Sequence, residues 1–238
     1  MIAVVGAGLM GAATAWELAR RGHEVTLIEA YEIGHRHGSS HGSSRIFRRV
    51  YGDKLYVRLT GQAHELWREL EHDSSTPLLR TTGGLDMGEG RDPEGLARVL
   101  REAGVRYELL PAEAAAERWP YIRFDGQVLH QPDAGVINAD ETVAACVRRA
   151  VDHGAQAWTG VRVTDFDVRE KVVLRTDDGR ALTADTVVIA AGAWLPELGL
   201  PVVLPDLEVT QQQVFHFRRR EPSAQWPTLV FKEGTLQT

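Results

Sequence analysis

The first thirty residues constrain this chain more than any other stretch. Ile2 to Val5 is a short apolar run, and "GAGLMG" follows with Gly6, Gly8 and Gly11 in the pattern GxGxxG. Ala12, Ala15, Leu18 and Ala19 then make one apolar stripe at helical spacing, and Gly22 closes that helix. "EVTLIE" is a second apolar run that ends at Glu29, 18 residues beyond Gly11. Strand, glycine turn, helix, strand and acid is the order of a dinucleotide-binding unit, whose acid follows the glycines by about 20 residues. The chemistry asks for each position. Gly6 permits the tight turn, Gly8 lets backbone approach a pyrophosphate, and Gly11 lets the helix lie close on the sheet. Unpaired N–H groups and the dipole at the helix start favour a diphosphate. Glu29 suits ribose hydroxyls and disfavours a 2′-phosphate, which argues against NADP.

Composition narrows the class. With 238 residues, 43% hydrophobic and 25% charged, the chain suffices for one large or two modest domains. A formal net charge of −6 lacks the basic footprint of a nucleic-acid binder. Cys146 is the single cysteine, so an internal disulfide and a cysteine-rich metal site are excluded, and a reducing, cytoplasmic setting fits. "MIAVV" runs straight into the glycine turn, which leaves no room for a signal peptide, and no apolar run reaches membrane-spanning length. Nucleic acid and membrane are therefore not expected as partners.

The residues after Glu29 favour FAD over NAD. A third strand would come next in an NAD dehydrogenase, but Tyr31 to Ser44 reads as a loop of Gly, Ser and His. Tyr51 to Glu71 reads as a helix, and "TTGGLDMG" as a turn into a strand. Residues 155–168 fit a strand opening a small β-unit, with Val172 to Thr176 beside it. Thr186 to Ala190 is an apolar strand ending in the small residues Ala191 to Ala193, which let backbone lie against a bulky cofactor; a buried strand and a tight turn without a ligand explain them too.

The loop ends in "HGSSHGSSRIFRR" (37–49). His35, His37 and His41 recur at even spacing, but acids are sparse nearby and three arginines repel a cation, so no metal is expected. Gly, Ser and Arg also suit RNA or phosphate, against the acidic balance and without interleaved aromatics. Arg45 and Arg48 are three apart and share a face on a helical turn, whereas Arg49 is offset and reads as solvated. A solvated basic turn explains the same residues. Cys146 lies in the apolar pattern Val143, Cys146, Val147, Ala150 and reads as core; Trp67 and Trp119 read as packing. Asp53 and Tyr56 fit a cleft wall and a solvated helix face equally.

Taken in order, "VVGAGLMGAATAWELARRGHEVTLIEA" (4–30), "GSSHGSSRIFRRVYG" (38–52), "TTGGLDMG" (81–88), "RWP" (118–120), "PDAGVINAD" (132–140) and "TVVIAAGAW" (186–194) resemble the glycine/D-amino-acid oxidase superfamily of FAD enzymes, most of all its monomeric sarcosine oxidase and N-methyltryptophan oxidase branch. The resemblance covers nearly the whole chain. It implies that Gly6, Ala7, Gly8, Met10 and Gly11 surround the FAD diphosphate, with Glu29 and Ala30 at the adenosine ribose. It further implies Ser40, His41 and Ser44 beside flavin and pyrophosphate, a backbone contact from Val163 to adenine, and Ala191, Gly192 and Trp194 near the cofactor. Arg45 matches an arginine packed at the flavin, and Arg48 the one that pairs with a substrate carboxylate. A guanidinium fork suits a planar carboxylate through two parallel hydrogen bonds.

The implied fold is α/β: a discontinuous Rossmann-like FAD domain (1–80 and 136–210) with part of an antiparallel-sheet substrate domain (81–135 and 211–238). "DPEGLARVLREAGV" and "LLPAEAAAERWP" read as helices of the latter, and the alternating "TQQQVFHFRRR" (210–220) as an antiparallel strand. The implied activity is oxidation of the C–N bond of a secondary or N-methyl amino acid, a small carboxylate-bearing amine, with oxygen as acceptor and hydrogen peroxide as product. A flavin dehydrogenase with another acceptor and a non-catalytic FAD-binding fragment or subunit stay open. Complete members of the family continue well past this length and supply a Lys and a His near the flavin. The resemblance therefore implies a missing C-terminal segment or a completing partner subunit, and Lys232 lies too early for the oxygen-reactive role.

Overall fold

The computed structural model describes residues 1–215, 217–218 and 225–234. In chain order it opens with β1 (Ile2–Val5), α1 (Leu9–Arg20) and β2 (Val25–Ile28). A long insertion comes next: β3 (Arg45–Phe47), α2 (Lys54–Ser74), β4 (Leu79–Thr81), β5 (Gly84–Met87), α3 (Pro93–Glu102), β6 (Glu108–Leu110), α4 (Ala112–Arg118), β7 (Val128–Gln131) and β8 (Gly135–Ile137). The chain returns through α5 (Ala139–Asp152), β9 (Gln156–Trp158), β10 (Val163–Val168), β11 (Val172–Thr176), β12 (Ala181–Ala184) and β13 (Thr186–Ile189), and β14 (Thr228–Phe231) comes last.

Two units result, Met1–Ser43 with Asn138–Arg218 and Ser44–Ile137 with Arg219–Thr238. The first is Rossmann-like. Its parallel sheet has the order β13-β1-β2-β9, with Ile2 opposite both Thr186 and Val25. A buried parallel sheet needs continuous apolar strands, and Ala3, Val4, Val25, Leu27 and Ile28 are all at most 1% exposed. Helices α1 and α5 pack together beside it. The antiparallel meander β10-β11-β12 adds Val163, Leu174 and Ala184 to the core around Ala3, Val5 and Ile28.

The second unit holds a mixed sheet, β14-β5-β7-β6, and a small antiparallel one, β3-β8-β4. Val50, Val57, Leu96, Leu100 and Leu129 form one of its cores, and Leu85, Met87, Trp119 and Val128 another. Caps start its helices: the Asp53 side chain accepts from Leu55 N–H and that of Asp92 from Gly95 N–H.

Three expectations need correction. Residues 44–80 belong to the second unit, because β3 and β4 both pair with β8 and Val57 of α2 packs into the core around Leu129. The stretch 155–168 is two strands: β9 extends the parallel sheet beside β2, and β10 starts the meander after a turn at Gly160, φ +66°. The alternating stretch 210–220 forms no strand at 210–215 or 217–218, where Val214, Phe215 and Phe217 are exposed; His216, Arg219 and Arg220 lie outside the described residues. The strand forms later, as β14, which runs parallel to β5 rather than antiparallel. Alternation yields a strand only where a sheet edge accepts it.

Candidate functional site

The first unit contains a cleft of ≈ 470 Å³ over the C-terminal ends of β1 and β2. Its floor is the glycine turn. Gly6 takes φ +100°, and a Cβ there would lie 2.5 Å from the Ala190 carbonyl oxygen. Ala190 N–H in turn donates to Val5 O at 2.7 Å, so the end of β13 is fastened to the end of β1. Gly11 sits behind the cleft; a Cβ on it would lie 1.7 Å from Gly6 O. Gly8 caps α1 without a side chain. The first N–H of α1, from Leu9, donates to Ser40 Oγ at 3.0 Å, which ties the Ser/His loop to the helix start.

Glu29 is 6% exposed yet lines the cleft. Its Oε2 accepts Ala7 N–H at 2.6 Å and its Oε1 accepts Tyr31 N–H at 3.0 Å, while His35 Nε2 lies 3.4 Å from Oε1. A buried carboxylate needs such partners. Here one of them is the glycine turn itself. The far end of the loop is anchored by a reciprocal pair, Gly42 N–H to Asp140 Oδ1 at 2.6 Å and Asp140 N–H to Gly42 O at 3.1 Å.

Of the residues singled out in the sequence, Gly6, Ala7, Gly8, Met10, Glu29, Ala30, Ser40, His41, Val163, Ala191, Gly192 and Trp194 line this one cleft. Sequence reasoning missed Tyr31, Asp140 and Arg162, which line it as well, and weighed His35 only as a metal ligand although it too lines the cleft. Tyr31 packs against His35 and Trp194 with ring centroids 4.8 and 5.8 Å away, and Arg162 donates to its hydroxyl at 3.1 Å. Asp140 was readable in principle, since Asn138 followed by Glu141 marks a helix start and Asn138 does accept from Glu141 N–H.

Ser44, Arg45 and Arg48 belong to the second unit. Arg45 lies in β3 opposite Ile137 and donates to Ser44 O at 2.8 Å. Extended backbone over Arg45–Phe47 replaces the expected helical turn, so the shared-face argument for Arg45 and Arg48 does not hold. Arg48 donates to Val50 O, lies 4.5 Å over the Tyr51 ring and stands 3.7 Å from Asp86. Asp86, 2% exposed, also pairs closely with Arg91. Burial pushes the Asp86 carboxyl up, and the Arg91 and Arg48 guanidiniums pull against that shift. An acid inside the apolar run "GLDM" was the overlooked sign of this cluster. Arg49 is not solvated as expected: it lies against Gly61 of α2, donates to Val57 O at 3.4 Å, and its backbone N–H donates to Gln131. Cys146 is buried in α5, and burial pushes its thiol up to about 12, so it is core and no nucleophile.

The fold and this cleft define a dinucleotide-binding α/β protein of the flavoprotein type. The chain belongs to the FAD dependent oxidoreductase (DAO) family, whose model matches residues 1–236. It is 33% identical over 204 residues to monomeric sarcosine oxidase of Bacillus sp. (strain B-0618), covering 83% of this chain and 52% of that protein. To human peroxisomal sarcosine oxidase it is 31% identical over 226 residues, covering 93% and 58%. Among solved structures it resembles NikD, an amino acid oxidase essential for nikkomycin biosynthesis, with TM-score 0.73, 32% identity and coverage of 83% and 52%. L-proline dehydrogenase from P. horikoshii aligns with TM-score 0.76 and 26% identity, covering 86% and 57%. The chain thus spans somewhat more than half the length of these relatives.

Proposed function

We propose that this chain forms the FAD-binding unit and part of the substrate unit of an oxidase acting on the C–N bond of a secondary or N-methyl amino acid. The observation that carries the reading is Glu29, a buried carboxylate in the cleft, hydrogen-bonded to Ala7 in the glycine turn at the start of α1. That arrangement suits a nucleotide whose ribose meets the acid while its diphosphate meets the helix N-terminus. The residues fit FAD: Gly8 lines the cleft with no side chain of its own, and a methyl there would meet Ser40 Oγ at 3.2 Å, so glycine leaves the turn open to a phosphate. Bound FAD supplies a two-electron acceptor.

The protein's own part is to bind and orient. Arg48 takes the substrate carboxylate in this reading, and Arg45 takes the part of the family's flavin-side arginine. Arg48 is suited to its task because Asp86, Tyr51 and Val50 O already fix its guanidinium, which reduces the ordering that binding demands. Oxygen as acceptor and a carboxylate-bearing amine as substrate follow the sarcosine oxidases among the relatives. A dehydrogenase with another acceptor is the second reading, favoured by the likeness to L-proline dehydrogenase. The test begins with titration by FAD and by NAD. Tight NAD binding without affinity for FAD refutes the cofactor. Oxygen uptake and peroxide are then followed with a panel of N-methyl amino acids, with and without the C-terminal remainder of a longer relative. Turnover is expected only with that remainder. Dye reduction without oxygen uptake selects the dehydrogenase.

A further inference from the structure

His35 plays no part in the chemistry proposed so far, yet its surroundings are specific. His37 N–H donates to its Nδ1 at 3.2 Å, so in the neutral ring the proton sits on Nε2. Nε2 faces Glu29 Oε1 at 3.4 Å. The ring is packed against Tyr31 and His37, with centroids 4.8 and 5.6 Å away, and Trp194 meets it edge-on at 6.1 Å. Gly38 closes the other side, with its Cβ position 3.5 Å from His35 Cε1. The side chains of His35 and Glu29 are only 16% and 7% exposed, and both residues line the cleft.

We infer that His35 is a positioning residue that fixes the Glu29 carboxylate for the two ribose hydroxyls of the bound nucleotide; the inference rests on the proposed nucleotide binding. The terminal torsion of a glutamate is soft. Ala7 N–H holds Oε2 and Tyr31 N–H holds Oε1, and both are backbone donors. His35 adds a polar side-chain contact, its Nε2 3.4 Å from Oε1 and so longer than a hydrogen bond, on a ring oriented by the His37 bond and by Tyr31 and Trp194. The neutral ring suffices, because the proton already stands on the nitrogen that faces Glu29.

The experiment compares ADP with 2′,3′-dideoxy-ADP on the full chain, by calorimetry, for wild type, His35→Phe and His35→Gln. Phenylalanine keeps the ring stack and removes the donor. Glutamine restores an N–H donor. His35→Phe is expected to weaken ADP by about two- to threefold, the low end of the range for one polar contact. Dideoxy-ADP should bind wild type and His35→Phe alike, and His35→Gln should recover most of the ADP affinity. Equal losses for both probes, or no loss for ADP, overturn the inference and leave His35 as packing. Wild-type protein that binds neither ADP nor FAD overturns the nucleotide reading itself, and this inference with it.

Discussion

Gly8 and Gly11 stand three residues apart in one motif, but the structure gives them different work, and alanine substitutions should separate the two roles. A methyl on Gly11 would lie 1.7 Å from Gly6 O, 2.9 Å from Gly6 C and 3.3 Å from Ala190 Cβ. The first two are backbone atoms of a turn pinned by Gly6 N–H to Ile28 O at 2.8 Å, so α1 itself must lift away. Such overpacking costs about 1–3 kcal/mol. Alanine in place of glycine in a helix returns about 1 kcal/mol. The 1.7 Å approach places Gly11→Ala at the upper end, a net loss of about 2 kcal/mol. Gly8, in contrast, has φ −64° and ψ −179°, which alanine adopts freely. Its added methyl meets only the Ser40 hydroxyl, and the poorer cap costs under about 1 kcal/mol. Urea unfolding followed by tryptophan fluorescence reads the stabilities, and FAD titration reads binding. Gly11→Ala should unfold at clearly lower urea. Gly8→Ala should stay near wild type in stability but bind FAD about tenfold more weakly or worse, the effect of losing about 1.4 kcal/mol of phosphate contact. A Gly11→Ala protein as stable as wild type would falsify the packing argument. Unchanged FAD affinity in Gly8→Ala would show that close backbone approach is not the reason for glycine there.

Asp86→Ala should destabilise the protein by about 3–5 kcal/mol, measured by urea unfolding, because it strands Arg91 and Arg48 around the buried carboxylate they share; a loss below about 1 kcal/mol refutes that coupling. Glu71 accepts from Leu78 and Leu79 N–H at 2.7 and 2.8 Å. Burial works to raise its carboxyl, but those N–H groups and the Arg68 guanidinium together hold it below its ordinary value. A depressed acid contributes stability above the ordinary value of 4.5 and loses it as pH falls through the lower folded value. Glu71→Gln should therefore flatten the acid limb of stability below pH 4.5; an unchanged limb in acid titrations monitored by circular dichroism refutes this role. Cys146, its thiol pushed up to about 12, should react with aromatic disulfides in mild alkali only as fast as the protein opens; rapid labelling of native protein contradicts the core assignment.

The N-terminal unit was legible because its signals are local. The glycines, the apolar stripe of α1 and Glu29 each follow from geometry within thirty residues; Gly6, Gly8 and Glu29 line the cleft, while Gly11, Ala12, Ala15 and Ala19 are buried in α1 behind it. What failed was partner choice. Residues 155–168 carry enough β character for strands, but nothing within them says that β9 joins β2 and β10 joins β11. Arg49 looks solvated in sequence because the room for it, above Gly61, is created by a helix packed there in three dimensions. The stretch 210–215 alternates like a strand, yet a period of two cannot report whether an edge is available. Arg45 and Arg48 came from family resemblance, and the extended backbone of β3 shows that the local helical argument for them was incidental.

The position of β1 in the middle of its sheet bears on how the protein is made. β2 can pair with one side of β1 as soon as Ile28 has left the ribosome, but the other side is covered only by Thr186–Ile189. At a translation rate of about 5–20 residues per second, that interval lasts roughly 8–30 s. During it Ala3 and Val4, both at 0% exposure in the finished fold, sit on an open strand edge. The second unit, meanwhile, has nearly all its strands in hand once β8 emerges. Strands β3 to β8 of the inserted unit thus emerge before the strand that completes the nucleotide unit's sheet. Yield in a host cell should then depend on holding chaperones and on the speed of elongation more than on the stability of the folded product.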